Sequence, residues 1–316
     1  MTDIFAAKPA YADADNGDHN AAVSMLYRWW GLFEAPENVD TAPFYEGLFA
    51  DDVHIDLPDG GVDITGIDAV KTTMAALPSG IRRSHAIADD DIEVSALGNG
   101  LYRLRANYTY QLETDGKLVS GHSHCDNILR KIAPARMVFT RVAGSLGETF
   151  ERPAFVDSYV ENRIKAVLIQ WQAVMDTLNG DAAPLEELVM PKLEFHGLIS
   201  SKQDQSDGRA ETVTDFKEMK GILAGTDGSE DTVIRGFEGV QEWFATGPAL
   251  LKSNIHRFEA IDIAPLPDNR FETTACFGWY AETLSGVPIE LHQPLTWIIV
   301  ERGEKYMRLE ALKPHD

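Results

Sequence analysis

"AAVSMLYRWWGLF" (residues 21–33) and "NRIKAVLIQWQAVMDTL" (residues 162–178) decide the fold. In each, apolar side chains return at steps of three and four, the spacing that gives a helix a buried stripe. Each then leads the same succession of segments. A short helix and strand follow, "FYEGLFADDVHIDLP" (residues 44–58) beside "LEELVMPKLEFHGL" (residues 185–198). Next comes a Gly-led helix, "GIDAVKTTMAAL" (residues 66–77) beside "GFEGVQEWFATGPALL" (residues 236–251). Both halves close with alternating, strand-like runs divided by turn signals such as "GNG", "TDG", "LPDN" and "LSG".

Helices first and antiparallel strands after, twice over, predict an α+β chain of two tandem domains. The spacing places them at residues 17–147 and 153–316, with the linker in "GSLGETFERPAF" (residues 144–155). The second copy carries an additional polar segment at about 198–235, read as a lid or a flap covering a dimer contact.

Composition narrows the functions. The 316 residues carry 50 acidic against 28 basic side chains, a net charge of −22. Basic residues are too few and scattered for a phosphate-tracking surface, so nucleic acid is not an expected partner, nor is an anionic membrane. The opening "MTDIFAAKPAYADADNGDHN" reads as a polar arm, and no run is apolar enough to span a bilayer. Cys125 and Cys276 make no disulfide framework, and a cytoplasmic location is expected. A small molecule and other protein chains remain as partners.

Each half resembles the cone-shaped α+β barrel of the ketosteroid isomerase, SnoaL and nuclear transport factor 2 superfamily. The resemblance is carried by "LFADDVHIDLPDGG" with "GIDAV" (Leu48 to Val70), by "RSH" (residues 83–85) and by "HCDNILRK" (His124 to Lys131). It implies a curved sheet around helices, with an apolar pocket at the wide end of the cone. It also implies sheet-to-sheet pairing, which a tandem chain would make within itself as a pseudo-dimer, alongside a further homodimer. Members include isomerases, dehydratases, carbon–carbon lyases and non-catalytic binding modules, so the fold does not give the function. In "HIDLP" Leu57 holds the place where steroid isomerases have their base, which disfavours that reaction.

Candidate chemistry gathers in the first copy. In "SGHSHCDN" (Ser120 to Asn127), His122, His124 and Asp126 alternate on one side of a strand, and Cys125 points the other way. Aligned copies set His85 opposite His256 and His122 opposite His292, with Asp56 near His196, whereas His124 becomes Pro294 and Asp126 becomes Thr296. The denser titratable set marks the first pocket as the chemical one and the second as chiefly structural. Three readings stay open. His122 and His124, with His85 or Asp56, have the donor types of a metal site. Asp56, His85, His122 and Asp126 form an acid–base set in an apolar cone. Alternatively, the histidines form a polar seam between two sheets.

The reading preferred is a cofactor-free, metal-free lyase or isomerase, such as a dehydratase or retro-aldol carbon–carbon lyase, acting on an aromatic or polyketide-like molecule. His85 or Asp56 is the expected base, His122 or His124 the acid and Tyr110 the oxyanion donor. Tyr27, Trp29, Trp30, Tyr108 and Asp126 are expected to line the pocket. The alternative is a non-catalytic binding or assembly protein with its histidines at the domain interface.

Overall fold

The computed structural model describes residues 16–87, 91–177, 181–196, 233–246, 251–284, 286 and 288–314. The first half opens with helix α1 (Asn16–Phe33), followed by strands β1 (Phe49–Leu57) and β2 (Val62–Thr65) and helix α2 (Ile67–Ala75). Strands β3 (Ile81–Ala86), β4 (Ile92–Gly98), β5 (Leu101–Thr114), β6 (Lys117–Ala133) and β7 (Arg136–Phe150) complete it. The second half repeats this with α3 (Tyr159–Asp176), β8 (Val189–His196), β9 (Val233–Arg235) and α4 (Gly236–Thr246). It ends with β10 (Leu251–Leu266), β11 (Arg270–Thr283), β12 (Pro288–Val300) and β13 (Arg308–Pro314).

The two sheets have one topology. The first runs β2-β1-β7-β6-β5-β3 with β4 also on β5, and the second β9-β8-β13-β12-β11-β10. The single long β10 occupies the place of β3 and β4 together. In each half one pair, β1 with β7 and β8 with β13, is parallel, because the last strand returns to lie beside the first. The chain is thus a tandem of two α+β barrels, each sheet curved around its own leading helix.

Three details differ from the sequence expectation. β7 continues to Phe150, since Leu146, Thr149 and Phe150 still pair with β6, so the stretch read as linker is half strand. β9, at the end of the additional segment, pairs with β8 as β2 pairs with β1. The remainder of the segment read as a lid or flap lies outside the described residues.

The third difference concerns how the halves meet. Sheet-to-sheet pairing was expected, but α1 and α3 pack on each other, antiparallel. Ser24 donates to the Ala166 carbonyl at 2.7 Å near the middle of the pair. Gly31 abuts Arg163 at one end and Gly17 abuts Thr177 at the other. Each helix therefore has its own sheet on one side and the other helix opposite, and nearly every residue of both is buried. A helix covered on two sides needs more than one apolar stripe, and its polar residues must find partners across the contact.

They do. Arg163 donates to the carbonyls of Glu304 and Lys305 in its own half and sits 4.0 Å over the Phe44 ring of the first. Arg28 donates to the carbonyls of Glu46 and Gly47 and sits 4.7 Å over Tyr306 of the second. Gln170 donates to the Ala135 carbonyl and accepts from Tyr306. Among the described residues no helix is long and apolar enough to cross a membrane.

A Cβ at Gly17 would lie 2.8 Å from the Thr177 methyl and 3.0 Å from the Ala173 carbonyl oxygen. Gly17→Val is therefore expected to force the helices apart, destabilising the fold by about 1–3 kcal/mol. An unchanged thermal midpoint would show that the helices are not held this closely.

A carboxylate–histidine pair repeated in both halves

Strand alternation sorts the candidate residues onto two faces. His85 lies directly opposite Tyr110, and Tyr110 opposite Gly121, so these three share a face. That face looks toward α1: the His85 ring stacks on Trp30 at 5.7 Å between centroids, with planes 10° apart. Phe33 and Tyr108 complete the ring's surroundings, each at 5.6 Å. Tyr110 folds over Gly121, whose missing side chain leaves room for the phenol. Trp29, Trp30 and Tyr27 are core residues of α1.

His122, His124 and Asp126 fall on the other face by the same parity. His122 and His124 are exposed, in a groove of about 580 Å³ with Asn107, Thr109 and Leu146. His122 packs on Phe150, and His124 meets the Asn107 side chain at 3.2 Å. Asp126 accepts from Arg103, whose hydrogen bond and charge hold its carboxyl below the usual carboxylate range. Asp56 also faces outward, 3.4 Å from Arg141. The structure thus does not bring Asp56, His122, His124 or Asp126 to His85. Because the halves join through helices, the outward histidines do not meet the other half's sheet among the described residues either. Among the described residues, no three His, Cys, Asp or Glu side chains converge as metal donors. Cys125 points inward, as its alternation required.

His85 has a different carboxylate. Glu34, one residue beyond the end of α1 and buried, accepts from the His85 backbone N–H at 2.5 Å. The same oxygen lies 2.8 Å from His85 Nδ1. Asn162 of α3 reaches across from the other half, donating to Glu34 Oε2 at 2.9 Å and to the His85 carbonyl at 3.0 Å. Ser158 donates to Glu34 at 3.1 Å. With Nδ1–H given to the carboxylate, the neutral ring carries its lone pair on Nε2. No described residue hydrogen-bonds Nε2.

The second half repeats this construction. Asp176, the last residue of α3, accepts from the His256 backbone N–H at 2.9 Å and lies 2.6 Å from its Nδ1. Asn20 of α1 donates to Asp176 at 2.9 Å and to the His256 carbonyl at 3.2 Å. His256 stacks on Trp279 with planes 11° apart. Burial pushes the Asp176 carboxyl up, against the opposing pull of His256. Each half thus lends an asparagine to the other half's carboxylate. The sequence bears a trace of this: the same fourteen-residue interval separates Asn20 from Glu34 and Asn162 from Asp176.

His292, aligned with His122, lies on the outer face of the second sheet, its Nδ1 2.6 Å from Glu259 and its ring edge-on to Tyr280. Glu259 stands where the β10–β11 register slips between Phe258 and Ala260, and the bulge aims its carboxylate at His292.

A large opening adjoins Glu34 of the first pair, although His85 itself is not among the residues lining it. A cavity of about 1100 Å³ is bounded by the end of α1, including Phe33 and Glu34, by α2 residues Lys71 and Met74, by Tyr45, and by Arg82 and Arg83 of β3.

No family model and no curated protein matches the sequence. Among solved structures, a protein from Kribbella flavida is similar at 14% identity, covering 44% of this chain and 96% of its own, with a TM-score of 0.37. A hexachlorocyclohexane dehydrochlorinase of type 2 is similar at 8% identity, over 45% of this chain and 100% of its own, with a TM-score of 0.36. A ketosteroid isomerase-like protein from Erwinia carotovora atroseptica aligns at 16% identity, over 40% of this chain and 92% of its own, with a TM-score of 0.32. Each spans about the length of one half of this chain.

Two outcomes follow from the paired geometry. Asn162→Ala leaves a buried carboxylate short of a donor, and should cost about 1–3 kcal/mol in denaturant unfolding. No loss would mean that Glu34 is not held across the halves. Burial also pushes the Cys125 thiol up from 9.0 to about 12 and the Tyr108 phenol up from 10.0 to about 12. Groups whose pKa is raised on folding favour the fold below their unfolded values and withdraw that support as pH climbs toward 12. Stability should therefore fall from about pH 9 upward, and Cys125→Ala should blunt the decline between pH 9 and 10. An equally steep decline in that variant would exclude the thiol as its source.

Proposed function

We propose that the first half is a cofactor-free acid–base site of the lyase or isomerase kind, acting on a small, largely apolar molecule. The observation that carries this reading is the Glu34–His85 pair: a carboxylate fixes Nδ1 and leaves the basic Nε2 without a described partner, among Trp30, Phe33 and Tyr108. This arrangement suits general base catalysis. Glu34 orients the ring and stabilises the imidazolium that forms when Nε2 takes a proton from carbon beside a carbonyl. Trp30 and Tyr108 supply aromatic surface. Tyr108, kept protonated by its burial, and Tyr110, next to His85 across the ladder, are the candidate donors to the developing enolate oxygen. Returning the proton from Nε2 to another carbon gives an isomerisation. Delivering it to a departing β-hydroxyl gives water and an unsaturated carbonyl, a dehydration. In this scheme His85 is the base, Glu34 orients it, and no step uses Asp56, His122 or His124.

A second reading has an observation of its own. Both carboxylate–histidine pairs are tied to the opposite helix by an asparagine, as an assembly joint would be. On that reading the histidines hold the halves together and the cavity binds without turnover.

Exchange of α-protons for deuterium, followed by NMR in a panel of aryl and alicyclic ketones, tests the first reading. His85→Gln is expected to slow exchange by about a hundredfold to ten-thousandfold, with Glu34→Gln less severe. A wild-type protein that exchanges no ketone faster than buffer, with His85→Gln lowering only the unfolding midpoint, would establish the assembly reading instead.

A further inference from the structure

Arg83 and His85 stand two residues apart on β3, and therefore on the same face. Phe33 lies between them: the Arg83 guanidinium carbon is 5.2 Å from its ring centre, and the His85 ring is 5.6 Å from it on centroids. Arg83 also lines the cavity of about 1100 Å³. The guanidinium is half-buried and makes one hydrogen bond, from Nη1 to the Ile81 carbonyl at 3.3 Å. No described carboxylate pairs with it.

Arg28 likewise lacks a described carboxylate, but it donates to two carbonyls and lies over Tyr306, whereas Arg83 has a single backbone bond. Its neighbour Arg82 is paired with both Glu113 and Asp157. The carboxylates that border the same cavity are otherwise engaged. Glu34 serves His85, Asp157 serves Arg82 and the Tyr159 N–H, Glu37 accepts from the Gly80 N–H, and Asp40 accepts from the Ala42 N–H. Lys71, over the Tyr45 ring at 5.9 Å, is a second cation on the cavity wall with no described carboxylate partner. Partial burial holds the Arg83 guanidinium below its ordinary pKa, as expected for a cation withdrawn from water with no described anion beside it.

We propose that the cavity takes a small aromatic or alicyclic carboxylic acid, its carboxylate bidentate on Arg83 with Lys71 supporting it and its apolar ring against Phe33 and Met74. The proposal deepens the acid–base reading and rests on it for the chemistry. Two strand residues span about 6.6 Å, and the Arg83 and His85 side chains both pack on Phe33, so a ligand seated on Arg83 lies on the side of β3 that carries His85. Arginine suits this role because its planar fork matches a carboxylate and remains charged where lysine would not.

Isothermal titration with 3-phenylpropanoate and with the neutral 3-phenylpropanamide separates charge from shape. Wild-type protein should bind the acid roughly tenfold to a hundredfold more tightly than the amide, the usual yield of a charge-assisted hydrogen-bonded pair. Arg83→Gln should abolish the difference, Arg83→Lys should retain part of it, and His85→Gln should leave it intact. Equal affinities in the wild type, a preference that survives Arg83→Gln, or no binding of either probe at millimolar concentration would each overturn the proposal. If the acid preference depends on Arg83 while no ketone or keto acid exchanges its α-protons, carboxylate recognition stands and the proton-transfer reading falls.

Discussion

The antiparallel contact between α1 and α3 is the constraint on which the rest depends. Two helices each enclosed by a sheet and by one another have little surface left for water, so every polar group they carry needs a protein partner. The arginines take backbone carbonyls and aromatic faces, and Ser24 takes a carbonyl of the opposite helix. The helix-end acids Glu34 and Asp176 take a histidine of their own half and an asparagine of the other. A buried carboxylate costs free energy unless it is surrounded by donors, and here each receives them from a strand of its own half and from the leading helix of the other. What makes the joint between halves possible also fixes the orientation of His85.

Much of this was legible in the sequence. The repeated order of helix, short strand, helix and long strands gave both sheets, and the period of two set Cys125 on the face opposite His122 and His124. Which of those faces looks inward was not legible, and His122 and His124, expected as acids in the pocket, lie outside. The pairing of His85 with His256 by alignment pointed to equivalent positions. What the sequence could not convey was which surface the halves share. "AAVSMLYRWWGLF" and "NRIKAVLIQWQAVMDTL" are apolar nearly all round, which reads equally as a generous stripe or as two buried sides. Glu34 and Asp176 were passed over because an acid at a helix end ordinarily faces solvent. Asp56, offered beside His85 as a candidate base, is set by β1 on the outer face with Arg141.

The two faces of the first sheet divide the electrostatics. Outside, Asp56, Arg141, Asp126, Arg103 and Arg105 form a ladder of opposite charges in which Asp126 is held ionised. Exposed pairs of this kind add little stability each, but they keep the face soluble and in register. Inside, the surroundings of His85 are aromatic, and burial keeps Cys125 and Tyr108 protonated. Titratable groups on either face of one strand therefore behave differently, although Cys125 and Asp126 are adjacent along the chain.

The exchanged asparagines have a further consequence. In a pair of identical chains, any substitution at a twofold joint appears twice, and both sites must change together. Here the two copies are spelled separately along one polypeptide, so Glu34 stands in one site and Asp176 in the other, and Trp30 backs one histidine while Trp279 backs the other. The fused chain keeps the mutual bracing of a symmetric dimer and is released from its obligation to be symmetric. Each site can be adjusted alone, but neither can be removed alone, because its partner would lose the amide that holds its carboxylate.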